Sequence, residues 1–246
     1  MNNIIIVIPT YNEAENLPRL VAALFALPIA NLRLLVVDDN SPDGTGELAD
    51  RLCAETNGRV QVLHRAGKLG LGTAYIQGFR RAMELGADAI GQMDADFSHQ
   101  PEKICELLAV LQDCDMALGS RYVPGGKLDE RWPAWRKALS AFGNVYARTI
   151  LGVPVRDVTG GFRLWRRSTL AAMPLERIRS NGYVFQVEMA FVAYRLGFCF
   201  KEVPIYFADR RWGKSKMSFR IQVEAAINTW KLLFRYTDLK KKKILA

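Results

Sequence analysis

The feature that most constrains the fold is a repeated pairing of a short β-branched run with an amphipathic segment. Residues 4–8 (Ile-Ile-Ile-Val-Ile) form an apolar run typical of a strand that is buried on both faces of a parallel sheet. The run stops at Pro9. The next segment is predicted to be a helix, because its apolar residues recur at intervals of three and four: Leu17, Leu20, Val21, Leu24 and Phe25. A strand followed by a helix is the unit of an α/β fold.

The same pairing recurs further along the chain. Strands are predicted at residues 32–37, 60–63 and 89–93, and helices at about 45–56 and 73–85. The prediction is an α/β fold with an open, mostly parallel sheet and helices on both faces. Such sheets bind ligands outside the carboxyl ends of their strands. Four polar residues follow strand ends, and we expect them to share one site: Tyr11, Asp39, Asp94 and Asp96.

Two carboxylates one residue apart, Asp94 and Asp96, stand where an apolar strand ends. Mg²⁺ and Mn²⁺ prefer oxygen ligands and are often held by one or two carboxylates together with phosphate oxygens of a substrate. The pair therefore predicts a divalent cation and a phosphorylated ligand. Acidic pairs also occur as solvated turns or helix N-caps, and spacing alone leaves both interpretations open.

Charge is unevenly distributed over the 246 residues, whose net charge is +9. Acidic residues are in excess before residue 120 and basic residues are in large excess after it. This C-terminal excess implies an anionic partner, and nucleic acid and an anionic membrane surface both satisfy it. Half of the residues are hydrophobic, which is enough for one large core.

Two amphipathic, aromatic stretches are compatible with a membrane interface. The first lies in residues 131–152 and the second in residues 217–246, which end in a basic tail containing four lysines at 240–243. Both are typical of helices in a membrane interface, although periodicity alone also describes core-facing helices. No window reaches the ~18 uncharged apolar residues that a membrane-spanning helix needs, so the predicted contact is peripheral. The apolar positions are Trp132, Trp135, Leu139, Phe142, Tyr146 and Ile150, then Phe219, Val223, Ile227, Trp230, Leu233 and Phe234.

The start of the chain and its cysteines predict a cytoplasmic protein. Residues 1–3 lack the basic region of a signal peptide. The four cysteines have no C-x-x-C spacing and lie in apolar segments, which predicts reduced core thiols: Cys53, Cys105, Cys114 and Cys199. We therefore expect a protein that associates peripherally with the cytoplasmic face of a membrane.

Six short segments, taken in order, resemble family 2 glycosyltransferases of the GT-A fold. They are residues 9–13 (PTYNE), 37–41 (VDDNS), 67–72 (GKLGLG), 94–96 (DAD), 119–122 (GSRY) and 157–163 (DVTGGFR). Two further segments narrow the resemblance to polyprenol-phosphate (dolichol-phosphate) mannose synthases: residues 180–189, and residues 202–205 followed by Arg210, Gly213, Ser215 and Lys216.

The resemblance implies a catalytic domain at 1–216, followed by an amphipathic helix and basic tail at 217–246. It assigns the nucleotide to Pro9, Tyr11, Glu13, Val37 and Asp39, with Tyr11 stacking on the base and Asp39 accepting hydrogen bonds from ring N–H groups. Ala95 belongs to the donor site, and Asp94, Asp96 and Ser98 are the implied metal ligands. The residues expected at the phosphates are Arg121, Arg210 and Lys216, which with the two aspartates form the catalytic set.

The implied reaction transfers a hexose, with mannose from GDP-mannose as the prediction, to a polyprenyl or dolichyl monophosphate. A lipid monophosphate is largely ionised at pH 7, so no general base is obligatory, and direct attack inverts the anomeric centre. UDP-glucose or UDP-aminosugar donors remain open. The expected partners are a nucleotide sugar, a polyprenyl phosphate and an anionic bilayer. A membrane-anchoring partner subunit remains open, and no nucleic acid is expected.

Two other functional classes fit less well. A dinucleotide-binding oxidoreductase is disfavoured because residues 70–75 lack the third glycine of its motif and precede a helix in the wrong βα unit. A non-catalytic basic module has no use for three aspartates at strand ends. Two roles stay open. Asp157 is either a base, as in other subfamilies, or a site-lining or structural residue, and His99 is predicted as a turn or helix-entry residue.

Overall fold

A computed structural model describes residues 1–209 and 219–239. The strands within them are β1 (Ile4–Thr10), β2 (Leu32–Asp38), β3 (Val60–His64), β4 (Ala89–Gln92), β5 (Met116–Ser120), β6 (Lys127–Leu128), β7 (Arg163–Arg166), β8 (Phe200–Pro204) and β9 (Tyr206–Phe207). The α-helices are α1 (Leu17–Phe25), α2 (Thr45–Glu55), α3 (Leu71–Glu84), α4 (Lys103–Val110), α5 (Ala134–Leu151), α6 (Arg167–Ala172), α7 (Gly182–Arg195) and α8 (Phe219–Arg235).

Seven strands form one sheet in the order β3-β2-β1-β4-β7-β5-β8. The first four strands in this order, β3 to β4, are parallel to their neighbours. Strand β7 is antiparallel to both β4 and β5, and β5 is parallel to β8. A separate pair, β6 and β9, is also parallel. The predicted α/β fold with an open, mostly parallel sheet is confirmed.

The sheet is covered on both faces, which explains the uninterrupted apolar run in β1. Because side chains alternate along a strand, Ile5 and Val7 pack with Tyr75 and Phe79 of α3 on one face. Ile4, Ile6 and Ile8 pack on the opposite face with Leu17, Leu20 and Leu24 of α1. Residues 4–8 are buried, so no polar residue interrupts this run.

One aromatic prediction is wrong. Trp132 was expected on the exposed stripe of a helix, but it precedes α5 and is buried. Its ring lies edge-on to Phe207, and its Nε1 donates a hydrogen bond to Asp209 at 3.0 Å. The cause is Pro133, because a proline favours the start of a helix and the residues before it do not share the helical period.

Helices α5 and α8 each expose large apolar side chains to solvent. On α5, Trp135, Phe142 and Val145 are exposed, whereas Asn144, Ala147 and Leu151 are buried. On α8, Ile227, Trp230 and Phe234 are exposed, and Phe234 retains 75% of its accessible surface. Nε1 of Trp230 donates to the hydroxyl of Tyr146 at 2.9 Å, which joins the two helices. We call these six exposed residues the α5–α8 apolar surface.

Of the other residues predicted on the two aromatic stretches, some are described and some are not. Leu139, Tyr146, Ile150 and Leu233 are half-buried, and the side chains of Phe219 and Val223 and the lysines at 240–243 lie outside the described residues. Among the described residues, no helix combines the length and apolar character needed to cross a membrane. Cys114 is buried, but Cys199 is exposed, so the prediction of core thiols is wrong for Cys199.

Candidate functional site

The strand directions bring the sequence motifs to one edge of the sheet. Thr10 at the end of β1 is in register with Asp38 at the end of β2. Because β7 runs antiparallel to β4 and β5, its first residue, Arg163, is in register with Gln92 and Leu118 near their carboxyl ends. The segments that contain Tyr11, Asp39, residues 94–96, Arg121 and residues 157–161 therefore meet there.

Asp39 lies in a buried ion pair. Its Oδ1 accepts a hydrogen bond from Nη1 of Arg65, and both side chains are less than one-tenth exposed. Nη2 of Arg65 also donates to the hydroxyl of Thr73 at the start of α3. Burial raises the pKa of Asp39, and the Arg65 cation opposes that shift. Sequence reasoning missed Arg65, although it follows the end of β3 as Tyr11 and Asp39 follow their strands.

Tyr11 is half-exposed and carries a cation on its ring. Nζ of Lys68 lies 3.7 Å from the ring centroid, a cation–π contact. The predicted donor residue Val37 is fully buried, and its side chain packs in the core against α3. Pro9 lies within β1 and is half-buried.

Hydrogen bonds hold the loops after β1 and β2. Asp38 accepts from the hydroxyls of Thr10 at 2.9 Å and Ser41 at 2.6 Å. The N–H of Glu13 donates to the hydroxyl of Thr45 at 3.0 Å, and Nδ2 of Asn16 donates to Oε2 of Glu13 at 2.8 Å. The first aspartate of the Asp38-Asp39 pair therefore shapes the loop, and the second belongs to the Arg65 ion pair.

The two candidate metal ligands follow β4. The hydroxyl of Tyr75 donates to Oδ1 of Asp94 at 3.2 Å, and the N–H of Ser98 donates to Oδ1 of Asp96 at 3.0 Å. Burial, followed by the Asp94 carboxylate, raises the pKa of Tyr75, which keeps that hydroxyl a donor. Asp96 is buried, unlike an acidic residue in a solvated turn.

The chemistry of these residues fits a hard cation. Oxygen atoms are the available ligands, and the hydroxyl of Ser98, next to Asp96 in this turn, is buried and has no hydrogen-bond partner among the described residues. No cluster of three or more His, Cys, Asp or Glu side chains able to hold a metal ion occurs in residues 1–209 and 219–239. A cation here would therefore be held by two carboxylates and by oxygens of a bound ligand. A ligand role for Ser98 stays a prediction.

His99 does more than enter a helix. It is buried, it stacks on Phe162 with ring centroids 5.0 Å apart, and it lies edge-on to Phe207. Its Nδ1 accepts from the N–H of Asp94 at 3.4 Å. Burial lowers the pKa of His99, with the nearby aspartates opposing. The ring supports the turn that carries both aspartates.

Arg121, predicted at the phosphates, is held by Asp157. Its Nε and Nη2 donate to the two carboxylate oxygens at 2.7 and 2.6 Å, and its backbone N–H donates to Oδ2 at 2.9 Å. Burial alone would lower the pKa of Arg121, but Asp157 outweighs it and the pKa is raised. Asp157 is fully buried. This geometry favours a structural role for Asp157 over that of a base.

Arg163 is a third buried arginine, and the sequence analysis did not assign it to the site. It donates to the carbonyl oxygens of Val158 at 2.7 Å, Gly160 at 2.9 Å and Gln186 at 2.9 Å. Burial lowers the pKa of Arg163 to about 10. These bonds tie the loop at 157–161 to α7. The signal in the sequence was an arginine two residues after a pair of glycines, at the start of a strand.

Two predicted catalytic residues, Arg210 and Lys216, lie outside the described residues. Asp209, the residue before Arg210, is described. Oδ1 of Asp209 accepts from Nε1 of Trp132 and from Nη1 of Arg136, at 3.0 and 3.2 Å, and its N–H donates to Asp129 at 2.8 Å. The segment that leads to Arg210 is thus attached to the start of α5.

The chain is similar to known proteins over most of its length. Residues 5–173 match the family model of glycosyl transferase family 2. An undecaprenyl-phosphate mannosyltransferase from Micrococcus luteus is 48% identical over 240 residues, which are 96% of this chain and 97% of that protein. A polyprenol monophosphomannose synthase from Mycolicibacterium smegmatis is 47% identical over 216 residues, which are 87% of this chain and 80% of that protein.

Solved structures support the fold. Glucosyl-3-phosphoglycerate synthase from Mycobacterium tuberculosis, in complex with Mn²⁺, UDP and glucosyl-3-phosphoglycerate, has a TM-score of 0.64 and 17% identity. The match covers 95% of this chain and 80% of that one. The same enzyme with Mg²⁺ and UDP has a TM-score of 0.61 and 16% identity, over 95% of this chain and 79% of that one. These similarities confirm the predicted GT-A fold.

Proposed function

Because the chain belongs to glycosyl transferase family 2, we propose that it transfers mannose from GDP-mannose to a polyprenyl monophosphate. The acceptor and the sugar follow from the two relatives, which are named undecaprenyl-phosphate mannosyltransferase and polyprenol monophosphomannose synthase. The observation that carries the proposal is the meeting of the Asp39–Arg65 pair with Asp94 and Asp96 at one sheet edge.

The donor side of the site has parts for a base and for a diphosphate. Tyr11 offers a ring for stacking, with Lys68 beside it. The carboxylate of Asp39 accepts hydrogen bonds from ring N–H groups of the base, while Arg65 keeps that carboxylate charged in its buried position. Asp94, Asp96 and Ser98 would hold a divalent cation, and its charge would stabilise the diphosphate leaving group.

The acceptor side needs cations and no base. An ionised lipid phosphate attacks the anomeric carbon opposite the departing diphosphate, so a single displacement inverts that carbon. Arg121 lies at this edge with its guanidinium oriented by Asp157, and an arginine in a fixed orientation suits phosphate oxygens. Arg210 and Lys216 complete the proposed set of cations.

The lipid acceptor explains the α5–α8 apolar surface. A polyprenyl phosphate keeps its head group at the bilayer surface, and the enzyme must bring its site there. Exposed aromatic residues on neighbouring helices, with arginines and lysines beside them, are typical of helices in a membrane interface. We propose that this surface contacts the bilayer without spanning it.

UDP-glucose or a UDP-aminosugar is the second candidate donor. It is favoured by the UDP bound in the solved structures that share the fold. A carboxylate such as Asp39 can accept from the N3–H of uracil as well as from the N1–H and amino group of guanine, so base recognition by Asp39 alone does not separate the two donors.

A donor panel tests the proposal. Purified protein is incubated with a short-chain polyprenyl phosphate and GDP-mannose, UDP-glucose or UDP-N-acetylglucosamine, with Mg²⁺, Mn²⁺ or EDTA. We expect lipid-linked mannose from GDP-mannose with either metal and none with EDTA. Transfer from a UDP-sugar alone would replace the proposed donor, and equal transfer with EDTA would contradict the metal. The anomeric configuration of the product tests inversion.

A further inference from the structure

A buried carboxylate outside the site, Glu188 on α7, connects two distant parts of the chain. Its Oε2 accepts from the backbone N–H groups of Arg179 at 3.1 Å and Ser180 at 2.8 Å. Its Oε1 accepts from Nη1 of Arg235 and from the hydroxyl of Tyr236, each at 2.8 Å. The side chain has no exposed surface. Four donors offset the cost of burying the charge, and the reaction proposed above uses none of them.

Residues 179–181, which Glu188 holds in place, pack closely against the glycine turn at residues 70–72, where α3 begins. A Cβ on Gly72 would lie 2.4 Å from the carbonyl oxygen of Ser180, and a Cβ on Gly70 would lie 2.6 Å from Oδ1 of Asn181. Gly70 also has a φ of +100°, which strongly favours glycine. The close contact between these two segments therefore depends on glycine on one side and on the position of residues 180 and 181 on the other.

Side chains at the start of α3 contact both the Asp39–Arg65 ion pair and Asp94. Thr73 accepts from Arg65, the partner of Asp39, and Tyr75 donates to Asp94. The ring of Tyr75 also stacks on Phe185 of α7 at 5.8 Å with an interplanar angle of 2°. Lys68, two residues before the turn, covers Tyr11. A shift of the glycine turn would move the groups proposed to bind the base and the metal together.

We propose that Glu188 is a positioning residue for the donor site. It holds residues 179–181 against Gly70–Gly72, which places the start of α3, and it attaches the C-terminal end of α8 at the same point. The end of the helix that carries part of the α5–α8 apolar surface is thus fastened next to the donor site. This inference rests on the proposed function, because it assigns a role in binding the nucleotide.

The test is calorimetric binding of GDP with Mn²⁺ to the full chain. Glu188→Gln keeps the size of the side chain but replaces one acceptor oxygen by an NH₂ group, which faces donors on one side or the other. We expect GDP binding to weaken about fivefold or more, a typical coupling between residues in one hydrogen-bond network. Asp238→Asn, which breaks a surface ion pair between Arg177 and Asp238, is the matched control and should bind as wild type does.

A second variant separates positioning from general stability. Asn181→Ala changes an exposed residue and should weaken GDP binding on its own, with little change in melting temperature. In that background, Glu188→Gln should cost less affinity than in the wild type, because both act through the same contact. If both variants bind GDP within twofold of wild type and only the melting temperature of Glu188→Gln falls, the positioning role is wrong. If wild type binds no GDP, the proposed donor itself fails.

Should Glu188→Gln not yield folded protein, Asn181→Ala decides the question alone. Weakened GDP binding by that variant supports the contact between residues 179–181 and the glycine turn as a determinant of donor affinity. Wild-type affinity overturns it.

Discussion

The sheet edge and the α5–α8 apolar surface break the usual distribution of residues in opposite ways. At the sheet edge, charged side chains are buried: Asp39, Arg65, Arg121, Asp157 and Arg163. On the α5–α8 apolar surface, large apolar side chains are exposed: Trp135, Phe142, Val145, Ile227, Trp230 and Phe234. Buried charges are costly unless paired, and a large exposed apolar patch marks a binding surface.

This difference in burial indicates that the two regions bind different kinds of partner. The buried charges are held by short hydrogen bonds to one another and to the backbone, so their positions are set before a ligand arrives. The apolar surface presents large apolar side chains to solvent, with Trp230 bonded to the hydroxyl of Tyr146, and it is complementary to an apolar environment. We propose that the first region binds a charged small molecule and that the second contacts an extended surface.

The largest expected effect is on stability at the sheet edge. Asp157→Asn leaves the buried Arg121 without its counter-charge, and breaking a buried pair from one side costs about 3–5 kcal/mol in the free energy of unfolding. Urea denaturation of purified protein measures it. Glu106→Gln, which removes the partially exposed ion pair with Lys103, should have a much smaller effect. Equal losses for both variants would contradict the assignment of Asp157 as a structural counter-ion.

The next effect is on turnover. Asp96→Asn should lower the turnover number by about 10²-fold or more, as the loss of an electrostatic stabiliser does, while circular dichroism stays unchanged. Glu84→Gln, a change in an exposed pair on α3, serves as the control and should leave turnover unchanged. Near-normal transfer by Asp96→Asn in the presence of EDTA would remove the metal role from this turn.

A smaller effect is expected on vesicle binding. Phe234→Glu places a charge on the α5–α8 apolar surface and should weaken binding to anionic vesicles about tenfold, the equivalent of losing the burial of part of one aromatic side chain. Wild-type binding should also decrease with salt, since the attraction between basic residues and anionic lipid is screened over about 8–10 Å. Co-sedimentation measures both.

Tyr183 provides the control for that experiment, because it is an exposed aromatic residue on α7, outside this surface. Tyr183→Glu should bind vesicles as the wild type does. If Tyr183→Glu and Phe234→Glu weaken binding equally, the contact with lipid is a property of overall charge and the apolar surface has no special part in it.

The smallest predicted effect concerns pH. Burial raises the pKa of Asp39, so this carboxylate takes up a proton at higher pH than a free aspartate does, despite Arg65; Asp38 and Lys68 also act on it. The proposed hydrogen bonds to the base need the ionised form. Affinity for guanosine, which has no phosphate to titrate, should therefore fall as the pH decreases through that raised pKa. Asp39→Asn should bind more weakly and without this pH dependence.

The sequence predicted the strands β1 to β4 and the helices between them, because the signals there were local. The uninterrupted apolar run at residues 4–8 required a strand covered on both faces, and the strand directions then brought Asp39, Asp94 and Asp96 to one edge. The period of α5 was read correctly, except at Trp132, where Pro133 separates the residue from the helix.

The parts that sequence reasoning missed depend on contacts between distant residues. The pairing of Arg65 with Asp39 joins the ends of two strands, and Arg163 is recognised only once its three carbonyl partners are known. Glu188 appeared in a motif, but its role follows from donors nearly fifty residues away in α8 and the turn after it. Local pattern cannot show which buried charges find one another.

We propose that the sheet edge performs the transfer and that the α5–α8 apolar surface brings this edge to the bilayer. The most direct test compares wild type and Phe234→Glu on two acceptors, a polyprenyl phosphate in anionic vesicles and a short-chain, water-soluble analogue, with GDP-mannose and Mg²⁺. We expect Phe234→Glu to lose most transfer to the acceptor in vesicles and to keep wild-type transfer to the soluble acceptor. Wild-type transfer by Phe234→Glu to both acceptors, or an equal loss of transfer to both, would contradict this proposal.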